Sequence, residues 1–385
     1  MAQYTAPEPF TINVPDAVLT DLRERLDRVR WPGEVPDTGW DYGVNLTYLK
    51  ELVEYWRTQY DWRTQERAIN RWKHFRTTIN GQGIHFIHER GKGPRPLPLI
   101  ITHGWPGSFY EFMELIGPLT DPAAYGGDPA DAFDVVVPSL PGYGFSDPTK
   151  ERQVNISRIA EWFSVLMTDV LGYTRYGAQG GDWGSMVTSR LGFACPQHVV
   201  GIHLNMAGIA PHPANRQNLS AAEQAWIKEM DQWRSEETGY QSIQGTKPQT
   251  LGYGLNDSPV GLCAWITEKF RTWSDCGGDL ARSYTKDQLL TNVMIYWITQ
   301  TINSSTRLYY EERHHPWRLG KDEKVTVPTG VAAFPAELAR PPREWAERSY
   351  NVTHWTPMPS GGHFAAMEKP LLLLEDIRKF FRTVR

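Results

Sequence analysis

The chain has 385 residues, 40% hydrophobic and 22% charged, with 40 Lys and Arg against 44 Asp and Glu for a formal net charge of -4; this allows one large core with an insertion and offers no basic surface for nucleic acid or anionic lipid. Its three cysteines, Cys195, Cys263 and Cys276, are too scattered for a disulfide framework or a structural zinc, which suits a reducing compartment. The first ten residues lack the basic start and apolar core of a signal, and no run approaches the roughly 18 apolar residues that span a bilayer, so a cytoplasmic chain with no membrane anchor is expected.

Residues 1–94 contain a long amphipathic segment over 17–29 and many Trp and Arg, and are expected to form an extra N-terminal layer or meander. From 95 to 210 short apolar runs alternate with amphipathic stretches, the pattern of a mostly parallel sheet wrapped by helices. Buried strands are expected at Leu97–Thr102, 133–137 and Val199–Leu204. Ile156, Ile159, Ala160, Phe163, Met167 and Val170 recur at three- and four-residue steps and stop at Gly172, which predicts a helix; a second is expected over 185–194. Residues 211–320 lose the strand rhythm and are rich in Trp and Tyr, including Trp226, Trp233, Tyr240, Trp265 and Tyr309, and read as a helical lid. The core resumes over 321–385, with apolar runs at 325–328 and 332–334, a turn at Gly361-Gly-His363 and a last helix over 371–381.

The most informative segment is Gly180-Gly-Asp-Trp-Gly184. Its spacing is that of a nucleophile elbow, a crowded strand-to-helix turn that needs small residues two places either side of the nucleophile. Asp182 occupies the apex where serine is usual. A serine hydroxyl must lose a proton before attacking, whereas a carboxylate, with a reference pKa of about 3.9, is already anionic. A carboxylate is poorly suited to an ester or amide carbonyl, since the product would be a reactive anhydride, but well suited to displacement at an electrophilic alkyl carbon. Epoxides and alkyl halides are the substrates this implies.

Nucleophile, acid and histidine follow one another in that order in an α/β hydrolase, each after a strand. His363 takes the last place. Glu337, in Phe334-Pro-Ala-Glu337, follows the preceding core run and is the expected acid; Asp322 and Glu323 precede that run and sit between Lys321 and Lys324, as in a solvated turn. The oxyanion hole would use the amide after the nucleophile and one from an earlier strand loop, which are those of Trp183 and Trp105, the latter in Thr102-His-Gly-Trp-Pro-Gly-Ser108.

Taken together, His103-Gly-Trp-Pro-Gly-Ser108, Pro138-Ser-Leu-Pro-Gly-Tyr-Gly-Phe-Ser146, Gly180-Gly-Asp-Trp-Gly184 and Gly361-Gly-His-Phe-Ala365 resemble the microsomal-type epoxide hydrolases of the α/β-hydrolase superfamily. The likeness runs over nearly the whole chain, including the N-terminal layer and the lid segments Lys247-Pro-Gln-Thr250 and Leu255-Asn-Asp-Ser-Pro-Val-Gly261. It implies an α/β-hydrolase fold with a mostly parallel central sheet, a helical lid insertion and an N-terminal meander. It also implies that two lid tyrosines, Tyr240 and Tyr309, bind the substrate and donate a proton to the epoxide oxygen, with Tyr310 an adjacent rival to Tyr309. Such an acid is needed because an alkoxide is a very poor leaving group in neutral water.

The implied reaction converts an epoxide, expected to be bulky and apolar, to a vicinal diol through an alkyl ester on Asp182, hydrolysed by water that His363 activates. Trp105 would contribute to substrate binding as well as to the oxyanion hole. No metal and no cofactor is expected, nor any nucleic-acid partner; a homodimer is allowed. Relatives serve detoxification, hormone breakdown and natural-product tailoring, and membrane-bound relatives carry an N-terminal anchor that this chain is expected to lack. The alternatives are a haloalkane dehalogenase, with the Trp183 indole holding halide, and a non-catalytic ligand-binding homologue.

Overall fold

The computed structural model describes residues 2–385. Nine strands form one sheet: β1 (Glu8–Phe10), β2 (His74–Ile79), β3 (Gln82–Glu89), β4 (Leu97–Thr102), β5 (Phe133–Pro138), β6 (Tyr176–Gly180), β7 (Val199–Leu204), β8 (Val325–Ala333) and β9 (Tyr350–Pro357). Their order is β1-β2-β3-β5-β4-β6-β7-β8-β9. Pairing is antiparallel as far as β3 with β5 and parallel from β5 to β9. This is the α/β-hydrolase fold with the mostly parallel sheet expected.

The central strands are apolar throughout because both faces are covered. Leu99, Ile100, Ile101 and Val135 to Val137 have no exposure. Helices Met113–Thr120 and Pro370–Phe381 pack on each other, and Ile156–Val165 packs on Asp182–Ala194. β6 carries two glycines and an alanine among its five residues, and a side chain at Gly177 would meet the Phe381 ring at 2.4 Å.

Expected and observed elements differ in four places. The amphipathic run ending at Gly172 is α-helical only to Val165 and continues as a π-turn over Leu166–Val170. The elbow helix starts at Asp182, three residues earlier than expected. The apolar runs at 325–328 and 332–334 belong to one strand that crosses Gly330 and ends at Ala333. β9 and the three antiparallel strands were not read as strands at all; β2 and β3 form a hairpin over Asn80 and Gly81, both at positive φ (49° and 82°), the geometry of a tight two-residue turn.

Between β7 and β8 the chain folds into helices Ala221–Glu237, Gly239–Gln244, Pro248–Asp257, Pro259–Thr272, Lys286–Thr299 and Ile302–His314. Ser220 and Glu223 make a capping box at the first, and Thr285 and Gln288 one at the fifth. Buried Glu223 also receives the Arg348 guanidinium at 2.5 and 2.9 Å, tying this helical layer to the loop before β9. On the other side Tyr55 donates to Asp287 at 2.8 Å, and Arg25 to Asp257 at 2.8 Å, so the N-terminal helices brace the same layer.

Candidate active site

Four loops at the carboxyl ends of β4, β6, β8 and β9 carry Trp105, Asp182, Glu337 and His363. Asp182 opens its helix with φ +49°, a left-handed conformation that is costly for a residue with a side chain and is held only where surroundings enforce it. The glycines explain how. A Cβ at Gly184 would lie 1.9 Å from the Thr102 carbonyl oxygen, one at Gly180 2.3 Å from the Gly184 oxygen, and one at Gly104 2.1 Å from Asp182 Oδ1. The Gly-x-Asp-x-Gly spacing is therefore a steric requirement of packing the elbow against β4.

The Trp105 N–H donates to Asp182 Oδ1 at 2.7 Å. The Trp183 N–H belongs to the first turn of the Asp182–Ala194 helix, whose amides have no intrahelical acceptor. The other carboxylate oxygen, Oδ2, lies 3.4 Å from His363 Nε2, and His363 Nδ1 lies 2.5 Å from Glu337 Oε1. Glu337 is 4% exposed and its Oε1 also accepts from the Leu338 N–H at 2.6 Å. Burial opposes charge on His363, but the Glu337 and Asp182 carboxylates outweigh it and hold the imidazole well above its ordinary range.

His363 is positioned from the helical layer as well as from β9. Its N–H donates to the Trp273 carbonyl at 2.9 Å, the Gly361 N–H donates to Asp275 Oδ2 at 2.9 Å, and the Trp273 ring stands edge-on to the imidazole at 5.2 Å. Gly361 adopts φ +112°, which favours glycine there.

Tyr240 and Tyr309 come down on this centre from Gly239–Gln244 and Ile302–His314. Tyr240 stacks on Trp105 (5.3 Å, 7°), and Tyr309 stands edge-on to Trp105 at 5.7 Å and to Trp183 at 4.8 Å. Burial, together with the Asp182 charge, raises both phenols above their ordinary range, so both stay protonated. Tyr310 points elsewhere: it is 38% exposed and stacks on His314 at 4.0 Å. Asp322 and Glu323 lie in the turn before β8, away from the centre.

A cavity of about 530 Å³ opens over these groups. Asp182, Trp183, Tyr240 and Tyr309 line its inner end, Met186, Met206, Met230, Trp233 and Leu338 its sides, and exposed Arg234, Arg313 and Arg318 its outer end. Behind Asp182 a second void of about 10 Å³, room for one water, is lined by Glu111, Asn205, His363 and Asp182 among others. Burial pushes the Glu111 carboxyl up to about 8. Glu111, in a short 3-10 turn (Phe109–Phe112), lies in no motif that marks it in the sequence, and it shares this void with Asp182, Asn205 and His363 only through the fold. Among the described residues no group of side chains is arranged to hold a metal, and no helix is long and apolar enough to cross a membrane.

Comparison with known proteins shows the family and the fold. Residues 7–112 match the family described as epoxide hydrolase N terminus, and residues 98–262 the alpha/beta hydrolase fold. Epoxide hydrolase 1 of Oryctolagus cuniculus is 40% identical over 400 residues, covering 97% of this chain and 88% of its own length. The chain belongs to the epoxide hydrolase family. Solved structures of other epoxide hydrolases superpose over almost its full length. The juvenile hormone epoxide hydrolase of Bombyx mori does so with a TM-score of 0.90 at 34% identity, over 99% of this chain and 95% of that one. The Aspergillus niger epoxide hydrolase gives a TM-score of 0.87 at 31% identity, over 99% and 97%.

Proposed function

We propose that this chain hydrolyses epoxides to vicinal diols through an ester on Asp182. The observation that carries this reading is the division of labour around one carboxylate: Oδ1 is held by the Trp105 N–H while Oδ2 faces His363, beneath two buried phenols.

In the first half-reaction Oδ2 attacks an epoxide carbon, the ring C–O bond breaks, and the freed oxygen takes a proton from Tyr240 or Tyr309. Esterification removes the negative charge of Asp182. That charge is one of the two that hold the proton on His363, so the imidazole releases it, and this proton restores the phenol. The base is thereby switched on by the step that precedes its use.

In the second half-reaction neutral His363, oriented by Glu337, takes a proton from water in the small void beside Glu111, and hydroxide adds to Asp182 Cγ. The oxyanion forms on Oδ1 against the Trp105 and Trp183 amides. Collapse breaks the Cγ–Oδ2 bond, the diol leaves with Oδ2 after taking the proton from His363, and the water oxygen remains on Asp182, whose carboxyl proton passes to His363 and restores the carboxylate and imidazolium. The sulfur- and indole-lined sides of the cavity suit a bulky apolar substrate body. A dehalogenase would need a halide site at Trp183 but would have no use for paired phenols.

A single turnover in oxygen-18 water tests this. Label is expected in the peptide carrying Asp182, read by mass; label in the first diol formed and none in that peptide would overturn the route.

A further inference from the structure

The outer end of the cavity differs in kind from its sides. Arg234 reaches it from Ala221–Glu237, Arg313 from the last turn of Ile302–His314 and Arg318 from the loop beyond. Arg234 pairs with Asp231 at 3.0 Å. Among the described residues the guanidinium groups of Arg313 and Arg318 have neither a hydrogen bond nor an ion pair. A fourth, Arg216, sits beside them: burial, and then the neighbouring charges of Arg234 and Arg318, hold its guanidinium below its ordinary value.

Of the acidic groups nearby, Glu312 feels the charge of Arg318, but less than it feels its burial and its two backbone bonds. Glu312 lines the same cavity, but its carboxylate oxygens accept from the Ile156 N–H at 3.2 Å and the Trp317 N–H at 2.9 Å, and burial pushes it up to about 7. It is thus only partly ionised at neutral pH and is turned toward the backbone. Asp182 lies at the inner end and is compensated by His363. Several guanidiniums at one rim, two of them unpaired, leave free donors facing the cavity mouth, and guanidinium is the side chain best suited to carboxylate or phosphate oxygens.

We propose that this enzyme takes epoxides whose apolar body ends in an anionic group, a carboxylate foremost, with the epoxide at Asp182 and the anion at Arg313 and Arg318. This rests on the reaction proposed above and names its substrate class. The cavity then reads as an amphipathic template: proton donors at the inner end, thioethers and an indole along the chain, and cations where the substrate meets solvent. Because the arginines are exposed, their pull is screened by salt, with a Debye length falling from about 10 Å at 0.1 M to about 3 Å at 1 M ionic strength.

The experiment compares three substrates of equal chain length, an epoxy carboxylate, its methyl ester and an epoxide ending in a phosphate monoester, in the wild type and in Arg313→Gln/Arg318→Gln. Styrene oxide serves as a neutral control. The wild type is expected to favour the acid over the ester by about tenfold in kcat/KM, carried in KM, and the ratio is expected to collapse in the double variant and at high salt. A phosphate ester preferred over the acid with the same arginine dependence keeps the anion site and makes phosphate the recognised group. An acid-to-ester ratio at or below one in the wild type, or a ratio the double variant leaves unmoved, overturns the proposal.

Calorimetric binding of the diol carboxylate against the diol methyl ester to the wild type needs neither a variant nor turnover. Tighter binding of the acid supports the anion site and equal affinity overturns it. Turnover of styrene oxide without any acid preference defeats this inference alone. Acid-selective binding without turnover of any epoxide defeats the reaction and leaves the anion site standing.

Discussion

Nε2 of His363 lies 3.4 Å from Oδ2 of Asp182, within reach of an ion pair and too long for a strong hydrogen bond. With the imidazole held above its ordinary range by Glu337 and Asp182 together, the resting enzyme stores the proton that the base must lose. Asp182→Asn removes one of those two charges and keeps the shape. The His363 imidazole is therefore expected to titrate at lower pH in this variant than in the wild type, followed by nitrogen or ring-proton chemical shifts. An unchanged or raised midpoint would contradict the switching role given to the ester.

His363→Gln keeps a polar side chain but removes the proposed base. Ester formation needs no base, so the variant is expected to alkylate once and stop, with an intact mass increased by that of the epoxide. Steady-state turnover should fall by about 100- to 10,000-fold. A variant that turns over without accumulating an adduct would place the base elsewhere.

Tyr240→Phe and Tyr309→Phe each leave one phenol over the epoxide oxygen. Each is expected to slow the alkylation step by about 100-fold or more, and the pair to abolish it. Tyr310→Phe, on an exposed ring stacked on His314, should stay within about twofold. Stopped-flow tryptophan fluorescence reads the step directly, since Trp105 and Trp183 pack against these rings.

Behind the sheet, Asp376 accepts from His203 at 2.9 Å, His354 at 2.8 Å and Thr356 at 2.6 Å. Burial opposes its charge, but these bonds prevail and hold the carboxyl down at about 2. A folded-state value below the unfolded one stabilises the fold above pH ~4, and the contribution disappears as pH falls toward 2. Asp376→Asn should therefore cost about 2 kcal/mol near neutral pH, with the gap in denaturant midpoint closing on acidification. A gap that holds constant down to pH ~2 would assign the loss to packing instead.

Much of the centre was legible because its constraints are local. Gly180 and Gly184 are demanded by backbone approaches of 2.3 and 1.9 Å, so the elbow writes itself into five consecutive residues, and the loops after β4 and β9 do the same through Gly104, Gly361 and Gly362. Glu337 followed from chain order alone. Tyr309 could not be separated from Tyr310 by sequence, since only the rotation of one helix decides which ring meets Trp105. Glu111 was invisible, as its significance lies in sharing a void with Asp182, Asn205 and His363, which are remote in sequence.

The strands went unread for a different reason. β9 is an edge strand of mixed polarity, mostly half-buried, and shows no clean alternation. β2 carries His74, Arg76 and two threonines; its partner β3 reveals itself only through the Asn80-Gly81 turn, the strongest short-range hairpin signal.

The bonds from His363 to the Trp273 carbonyl and from Gly361 to the Asp275 carboxylate mean that the segment following Pro259–Thr272 serves as a splint for the histidine loop. Loosening residues 273–275 would unseat the imidazole at once. Any widening of access by mutation is thus channelled to Ala221–Glu237, where Met230 and Trp233 line the cavity apart from these bonds.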